Sequence, residues 1–406
     1  MDRDITTAAH ALAAGDPVAA LNRVALRNDA PALALRGIAM AQLGDLEKAR
    51  GLMRRAASAF GPKEPMARAR CVVAEAEIAL ASRDLAWPMK RLDAARAELE
   101  TQGDRANAGH ARTIEIRRLL LIGRLDEAEL KLIELDLAGL PLASRAACEL
   151  VAAGIARRRL QAQTARRALE RARQAARQAG IGALDGEIDS AWRMLLTPAA
   201  RLIARGEERL LVLEDVQALL AGSALVVDAC RYGVSCAGVQ VALARRPVLF
   251  ALARELAQAW PGDAPRDVLM AQAFGLKLTD ESHRARLRVE MGRLRAALRP
   301  MADLVATRHG FRLVPHHAGE VVVLAHVVEE PYGAVLALLA DGEAWSSSAL
   351  ALALGTSQRS VQRALEVLAA CGKAQSFGRA RARRWTAPPM PGFATVLLLT
   401  ALPFEG

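Results

Sequence analysis

Asp280–Pro300 reads DESHRARLRVEMGRLRAALRP, and Asp303–Pro315 follows with DLVATRHGFRLVP. Leu287, Met291, Leu294 and Leu298 recur at i, i+4, i+7 and i+11, the interval that places one apolar stripe along a helix. At about 100° per residue, Arg284, Arg288, Arg295 and Arg299 fall on one flank of that stripe, and Arg286 and Arg293 on the other. Ala285, Val289, Gly292 and Ala296 make a slim outward line between them. A helix with a slim ridge and arginines on both sides can enter a major groove and reach either phosphate wall. A solvated surface helix carries the same pattern, so the flanking sequence decides between the two.

Upstream, Leu225–Leu243 (LVVDACRYGVSCAGVQVAL) is β-rich, with Gly233 and Gly238 at turns. Two helical stretches follow, Arg246–Trp260 and Pro265–Phe274, and then the long helix and a basic hairpin. This order, a β-meander, three helices and a hairpin, resembles the winged-helix effector domain of the OmpR family of bacterial response regulators over roughly Ala224–Pro315. LRVEMGRLRAAL at Leu287–Leu298 is similar to the family pattern V-x-V-H-I-S-R-L-R-x-x-L, with Leu287, Met291, Leu294 and Leu298 at core positions. The resemblance implies base-facing roles for Val289 and Arg293. Physically, Val289 can touch a thymine methyl, and Arg293 can donate two hydrogen bonds to guanine or brace a phosphate. Arg284, Arg288 and Arg295 are then phosphate contacts, and Arg286 is a further DNA-binding candidate on the other flank.

The hairpin ATRHGFRLV at Ala306–Val314 is similar to the family's wing T-V-R-G-x-G-Y-R-L, with Gly310, Phe311 and Arg312 in register. The family's wing arginine falls on Thr307 and its first glycine on Arg308, so either a one-residue shift lets Arg308 reach a minor groove or minor-groove reading is weaker here. His283 and Glu290 also depart from the family's usual choices, so no target sequence carries over. The family's phosphoacceptor module has no counterpart here, and regulation by aspartyl phosphorylation is not expected.

Pro331–Pro388 repeats the logic. Tyr332–Ala340 and Ser346–Leu354 read as two helices, Gly355 as a turn, and Thr356 or Ser357 as the cap of a third helix running to about Cys371. Val361, Leu365 and Leu368 face inward, and Arg359, Gln362, Arg363 and Glu366 outward. GKAQSFGRARARRW at Gly372–Trp385 outlines a two-stranded wing with Arg379, Arg381 and Arg383 on one face and Arg384 beside them. This stretch resembles the generic bacterial winged helix-turn-helix.

The N-terminal half is helical and repetitive. Similar corners recur at AAGDPVAAL (Ala13–Leu21), QLGDLEKAR (Gln42–Arg50), ASRDLAWPM (Ala81–Met89), LIGRLDEAEL (Leu121–Leu130) and ARRRLQAQTA (Ala156–Ala165). From Asp16 through Asp45, Asp84 and Arg124 to Arg159 the spacings are 29, 39, 40 and 35 residues, near a helix-pair period. Ala34–Phe60 resembles a tetratricopeptide repeat, with Gly37, Ala39, Gly44 and Ala49 at small-residue positions. The resemblance implies a stack whose concave face takes a peptide, a partner protein or a second copy of itself. Trp87 and His110 stand alone and read as packing or surface residues.

The expected fold is therefore mainly α: an α-solenoid of tetratricopeptide-like helix pairs plus two α+β winged helix-turn-helix domains. The expected boundaries are 1–180 for the repeats, 181–222 for a helical connector, 223–316 for the first winged helix, and 317–406 for the second with an apolar tail.

Composition agrees with this outline. The 406 residues carry a formal charge of +11, which suits a polyanionic partner, and only 3% are aromatic. The five cysteines form no zinc-type spacing, although Cys230 and Cys236 on one hairpin raise the idea of a redox pair. The polar N-terminus shows no signal peptide, and the longest apolar run, Phe393–Pro403, is shorter than the roughly 20 residues of a membrane helix. A cytoplasmic protein is expected, with neither metal nor cofactor. GxxxxGK[ST], GxSxG and HExxH motifs are absent, so enzyme chemistry finds no support. The expected function is transcription regulation through duplex DNA, with the repeats serving dimerisation or partner and signal binding. The rival is a scaffold whose repeats and winged helices bind proteins.

Overall fold

A computed structural model describes residues 2–137, 140–179, 182–274, 281–317, 319–327, 332–339, 344–378 and 383–386. The fold is mainly helical with a smaller β portion. Helices α1 (Arg3–Ala13), α2 (Pro17–Val24), α3 (Ala30–Gln42), α4 (Leu46–Phe60), α5 (Pro65–Ala81), α6 (Met89–Thr101), α7 (Arg105–Leu121), α8 (Leu125–Ile133), α9 (Leu142–Arg158), α10 (Ala162–Ala179) and α11 (Gly182–Leu196) come first. Strands β1 (Ala200–Ala204) and β2 (Glu207–Leu211), helix α12 (Leu213–Ala221), and strands β3 (Leu225–Asp228), β4 (Gly233–Cys236) and β5 (Val239–Ala242) follow. Next are α13 (Pro247–Ala259), β6 (Ala264–Pro265), α14 (Arg266–Phe274), α15 (Glu281–Leu298), β7 (Ala302–Ala306), β8 (Gly310–Pro315) and β9 (Val321–Ala325). The chain continues through α16 (Gly333–Leu339), α17 (Ser347–Leu354), α18 (Gln358–Ala370), β10 (Gln375–Phe377) and β11 (Arg384–Thr386).

These elements form two compact units. The helical unit joins Met1–Arg159 and Thr164–Arg193 to the stretch from Pro331 onward. The mixed unit comprises Leu160–Gln163 and Met194–Glu330.

In the helical unit the recurring corners have one physical basis. Gly15, Gly44, Gly103 and Gly123 adopt positive φ just after a helix. The next amide donates back five residues, as in Asp16 N to Ala11 O, Asp45 N to Met40 O and Asp104 N to Leu99 O. The Asp16, Asp45 and Asp104 carboxylates then cap the following helix. Gly-Asp thus ends one helix and starts the next within two residues. Arg83 and Leu160 take the same left-handed conformation without being glycine. Gly37 lets α3 approach α4 closely: a Cβ there would meet Met53 Cε at 2.8 Å and the Ala49 carbonyl at 3.3 Å, so the Met53 side chain would have to shift.

Among the described residues, the C-terminal helices do not form a core of their own. Leu339, Trp345, Leu350, Leu365, Leu368 and Trp385 share one apolar cluster with Val73, Leu85, Trp87, Leu92 and Ile114 of α5–α7 and the corner between α5 and α6. Arg83 stacks over the Trp345 ring at 5.0 Å. The expected independent domain at 317–406 is thus divided. Its helices pack on the N-terminal ones, and its leading strand belongs to the mixed unit.

That strand is β9. It lies third in a six-stranded sheet of order β2-β1-β9-β3-β4-β5, parallel to β3 and antiparallel to β1. Val321 and Val323 enter the cluster formed with α13–α15, while Val322 and Leu324 enter the one formed with α12 and β1. A run apolar on both faces needs cover on both, and only an interior strand has it. The connector expected to be helical over 181–222 instead contains the β1–β2 hairpin. The apolar tail Phe393–Pro403 lies outside the described residues. No described helix is long and apolar enough to cross a membrane.

Candidate nucleic-acid interface

Helix α15 buries Leu287, Met291, Leu294 and Leu298 against α13 and β7, as the periodicity requires. Ala285, Gly292 and Ala296 are exposed, and Val289 is 55% exposed. A Cβ on Gly292 would meet nothing within 4 Å, so the ridge is slim because of its residues and not because a neighbour crowds it.

The arginines divide into two groups by what they touch. Arg284 and Arg288 are exposed on one flank. Arg293 is exposed and donates to Glu290 Oε1 at 2.8 Å, an i,i+3 pair that aligns its guanidinium along the helix. Arg286 stacks over Phe274 at 4.5 Å. Arg295 instead bonds within the fold, where its Nε and Nη2 donate to the Leu304 carbonyl at 3.1 and 2.7 Å. That fork ties α15 to β7 and commits two of the guanidinium's donors to the fold.

Beside Glu290 and Arg293 an open groove of about 470 Å³ is lined by Arg246, Pro247, Val248 and Leu249. These residues start α13, whose N-terminus has no side-chain cap. Uncapped amides at a helix N-terminus favour an anion. Arg246 and Arg293 both line the groove and bring positive charge to it.

The hairpin β7–β8 pairs with β6 to make a three-stranded sheet. Gly310 is obligatory, because a Cβ there would lie 1.8 Å from the Ala264 carbonyl oxygen. Arg312 Nε donates to Asp263 Oδ1 at 2.7 Å. Thr307 is only half-exposed, whereas Arg308 and His309 are exposed at the tip. Thr307's hydroxyl holds the Asp263 carboxyl below the usual carboxylate range, burial opposes this, and the Arg312 guanidinium adds to the lowering. Neither Asp263 nor Arg266 stands out in the sequence. Their importance depends on β6 meeting β8 some 46 residues later (Ala264 with Phe311, Pro265 with Gly310), and a local pattern cannot carry that.

The second set of site residues lies in the helical unit. Ser357 caps α18, and Gly355 takes φ 61° at the preceding turn. Arg359, Gln362, Arg363 and Glu366 are exposed, opposite buried Val361, Leu365 and Leu368. Arg383 stacks over Trp385 at 4.4 Å and donates to Ser376 Oγ at 3.3 Å. Arg384 is drawn inward, its Nε donating to the Ser82 carbonyl at 3.3 Å, and burial holds its pKa below the usual arginine value. Arg384 therefore serves packing on the N-terminal helices. Arg379 and Arg381 lie outside the described residues.

Cys230 and Cys236 are free thiols. Burial first, and then the Asp228 charge, pushes the Cys230 thiol up to about 12. A thiol held protonated is a poor nucleophile, which disfavours the redox pairing raised by the sequence. Trp87 and His110 are both buried: Trp87 donates to Glu75, and His110 pairs with Glu77 at 3.0 Å.

No protein-family model matches this chain, and neither a curated protein nor a solved structure matches it.

Proposed function

We propose that this protein is a transcription regulator that binds duplex DNA through the mixed unit, with α15 as the reading helix and β7–β8 as a wing. The observation that carries the reading is the outward face of α15. A ridge of Ala285, Val289, Gly292 and Ala296 is flanked by exposed Arg284, Arg288 and Arg293. The uncapped N-terminus of α13 lines the groove beside Glu290 and Arg293, and Arg308 is exposed at the hairpin tip. Small residues let the backbone approach base edges, flanking guanidiniums reach phosphates, and helix N-terminal amides take a further phosphate. On the OmpR-type winged-helix reading, Val289 and Arg293 face bases. Arg295 and Arg312 hold the scaffold.

The exposed face of α18, with Arg359, Gln362 and Arg363, is the second DNA contact of this reading. The tetratricopeptide-like helix pairs carry dimerisation or the binding of a partner or signal.

The test is binding of purified full-length protein to duplexes of about 30 base pairs at increasing salt. The expected result is tight binding at low salt that falls steeply as salt rises, by about 0.9 in the log–log slope for each phosphate neutralised. Absence of duplex binding at low salt would overturn the proposal and favour the protein-scaffold reading.

A further inference from the structure

The hairpin tip is held by a lock that starts in α14. Arg266 is the first residue of that helix, immediately after β6. Its Nη2 donates to the Thr307 carbonyl at 2.8 Å and its Nη1 to the Arg308 carbonyl at 3.0 Å. The guanidinium also stacks over the Phe311 ring at 5.5 Å. One planar fork thus grips two consecutive carbonyls of the turn while its face rests on the strand beyond it.

The turn itself is closed in an unusual way that suits this grip. Thr307 N donates to the Gly310 carbonyl at 3.0 Å, as a hairpin requires. The returning bond does not go to the Thr307 carbonyl. Gly310 N donates instead to Thr307 Oγ1 at 3.0 Å, which leaves the carbonyl for Arg266. Asp263, whose carboxyl the Thr307 side chain helps hold below the usual carboxylate range, accepts from Arg312 Nε at 2.7 Å. The amide, the carbonyl oxygen and the hydroxyl oxygen of Thr307 are therefore all engaged by the hairpin and Arg266. The two residues between, Arg308 and His309, are exposed.

We propose that Arg266, Thr307 and Asp263 are positioning residues that preorganise the hairpin tip, and that Arg308 is the side chain this lock presents to a DNA backbone or minor groove. The inference rests on the DNA-binding reading above. It assigns Thr307 the structural role and Arg308 the contact. A bidentate fork on two carbonyls removes backbone freedom from the tip before binding, so the ordering cost is not met on association. Arginine suits this grip because its guanidinium is planar, carries paired donors and stacks on an aromatic ring, whereas lysine offers a single point charge.

The test uses the full chain with Arg266→Met, Thr307→Val, Arg308→Gln and the double variant Arg266→Met/Arg308→Gln. Hydrogen exchange of the DNA-free protein comes first. Arg266→Met and Thr307→Val should speed exchange at the Thr307 and Gly310 amides, with the rest of the mixed unit unchanged. Arg308→Gln should leave those amides protected. Unaltered exchange in Arg266→Met overturns the lock, whatever the protein binds. Duplex affinity comes second. Arg308→Gln should weaken binding about ten-fold and lower the salt slope by about one. Arg266→Met should give a similar loss, and the double variant should be no worse than the worse single one.

Additive losses would mean that Arg266 touches DNA itself, which overturns its positioning role. Full affinity in Arg308→Gln overturns the assignment of the contact. If the unaltered protein binds no duplex, the DNA reading falls, and the exchange data still decide the lock.

Discussion

Two regions of this chain share one local pattern, three helices followed by a basic hairpin, yet are stabilised differently. In the mixed unit, α13–α15 and β6–β8 close a core with one face of a larger sheet, and the hairpin is fixed by a third strand and by Arg295. In the helical unit, α16–α18 and β10–β11 share their core with α5–α7, and the short hairpin is anchored through Trp385 and Arg384. A local helix–turn–helix–hairpin outline therefore does not define a domain. The partner that covers its apolar face does.

The largest effect expected from this contrast is that of Trp345→Ala. Trp345 is fully buried in the shared cluster, so its loss should cost about 3–5 kcal/mol and speed hydrogen exchange in α5–α7 as well as in α16–α18. Met291→Ala, in the other core, should cost about 2–5 kcal/mol with exchange rising only in the mixed unit. If Trp345→Ala leaves α5–α7 protected, the shared core is refuted.

The two turn glycines extend the contrast to the backbone. Gly310→Ala drives a methyl into the Ala264 carbonyl and should cost about 3 kcal/mol, read as early melting of the mixed unit. Gly355→Ala meets no atom within 4 Å and is strained only by its positive φ, at about 1 kcal/mol. Equal costs would mean that the close β6–β8 approach does not constrain Gly310.

For DNA, Arg288→Ala and Arg293→Ala should each cost about 1–3 kcal/mol of binding, measured by anisotropy on one duplex. Arg295→Ala should mainly lower stability, since its donors hold Leu304. Arg359→Ala with Arg363→Ala reports whether α18 adds to the contact: on the two-module reading the salt slope falls by about two.

The smallest expected effects are in pH dependence, and they have opposite signs in the two units. At Glu75, 2% exposed, burial raises the pKa, but bonds from Arg54 and Trp87 and the Arg91 charge outweigh it and leave the carboxyl below its usual range. A depressed acid stabilises the fold above its unfolded value, and that contribution is lost as pH falls through the folded value. At Asp228, burial dominates over the bonds from the Arg231 and Cys230 amides, and the carboxyl is raised. A raised acid favours the protonated fold, so stability is gained as pH falls through its folded value. Acidification from about pH 7 to 3 should therefore loosen the helical unit through Glu75 while easing the mixed unit through Asp228. Glu75→Gln should flatten the first acid limb and Asp228→Asn the second, in melting followed unit by unit. A common sign for both variants would contradict this assignment.

Much of the local architecture was legible because it is written in neighbouring residues. The Leu287–Leu298 stripe, the Ser357 cap, the Gly355 turn and the Gly-Asp corners need only helical period, cap chemistry and positive φ. The exposure of Val289, Arg293, Arg359 and Arg363 followed from the same period. The partners of Arg295 and Arg384 were not legible, because a guanidinium's partner depends on which carbonyl the fold brings near it, Leu304 in one case and Ser82 in the other. Local sequence set where helices start, stop and turn their apolar faces, since those choices are made within a few residues. Long-range packing decided that Val321–Ala325 runs between β1 and β3, that α16–α18 complete a core with α5–α7, and that Arg266 grips the hairpin tip. Each of these depends on burial or hydrogen bonding between residues far apart in the chain, which no local periodicity encodes.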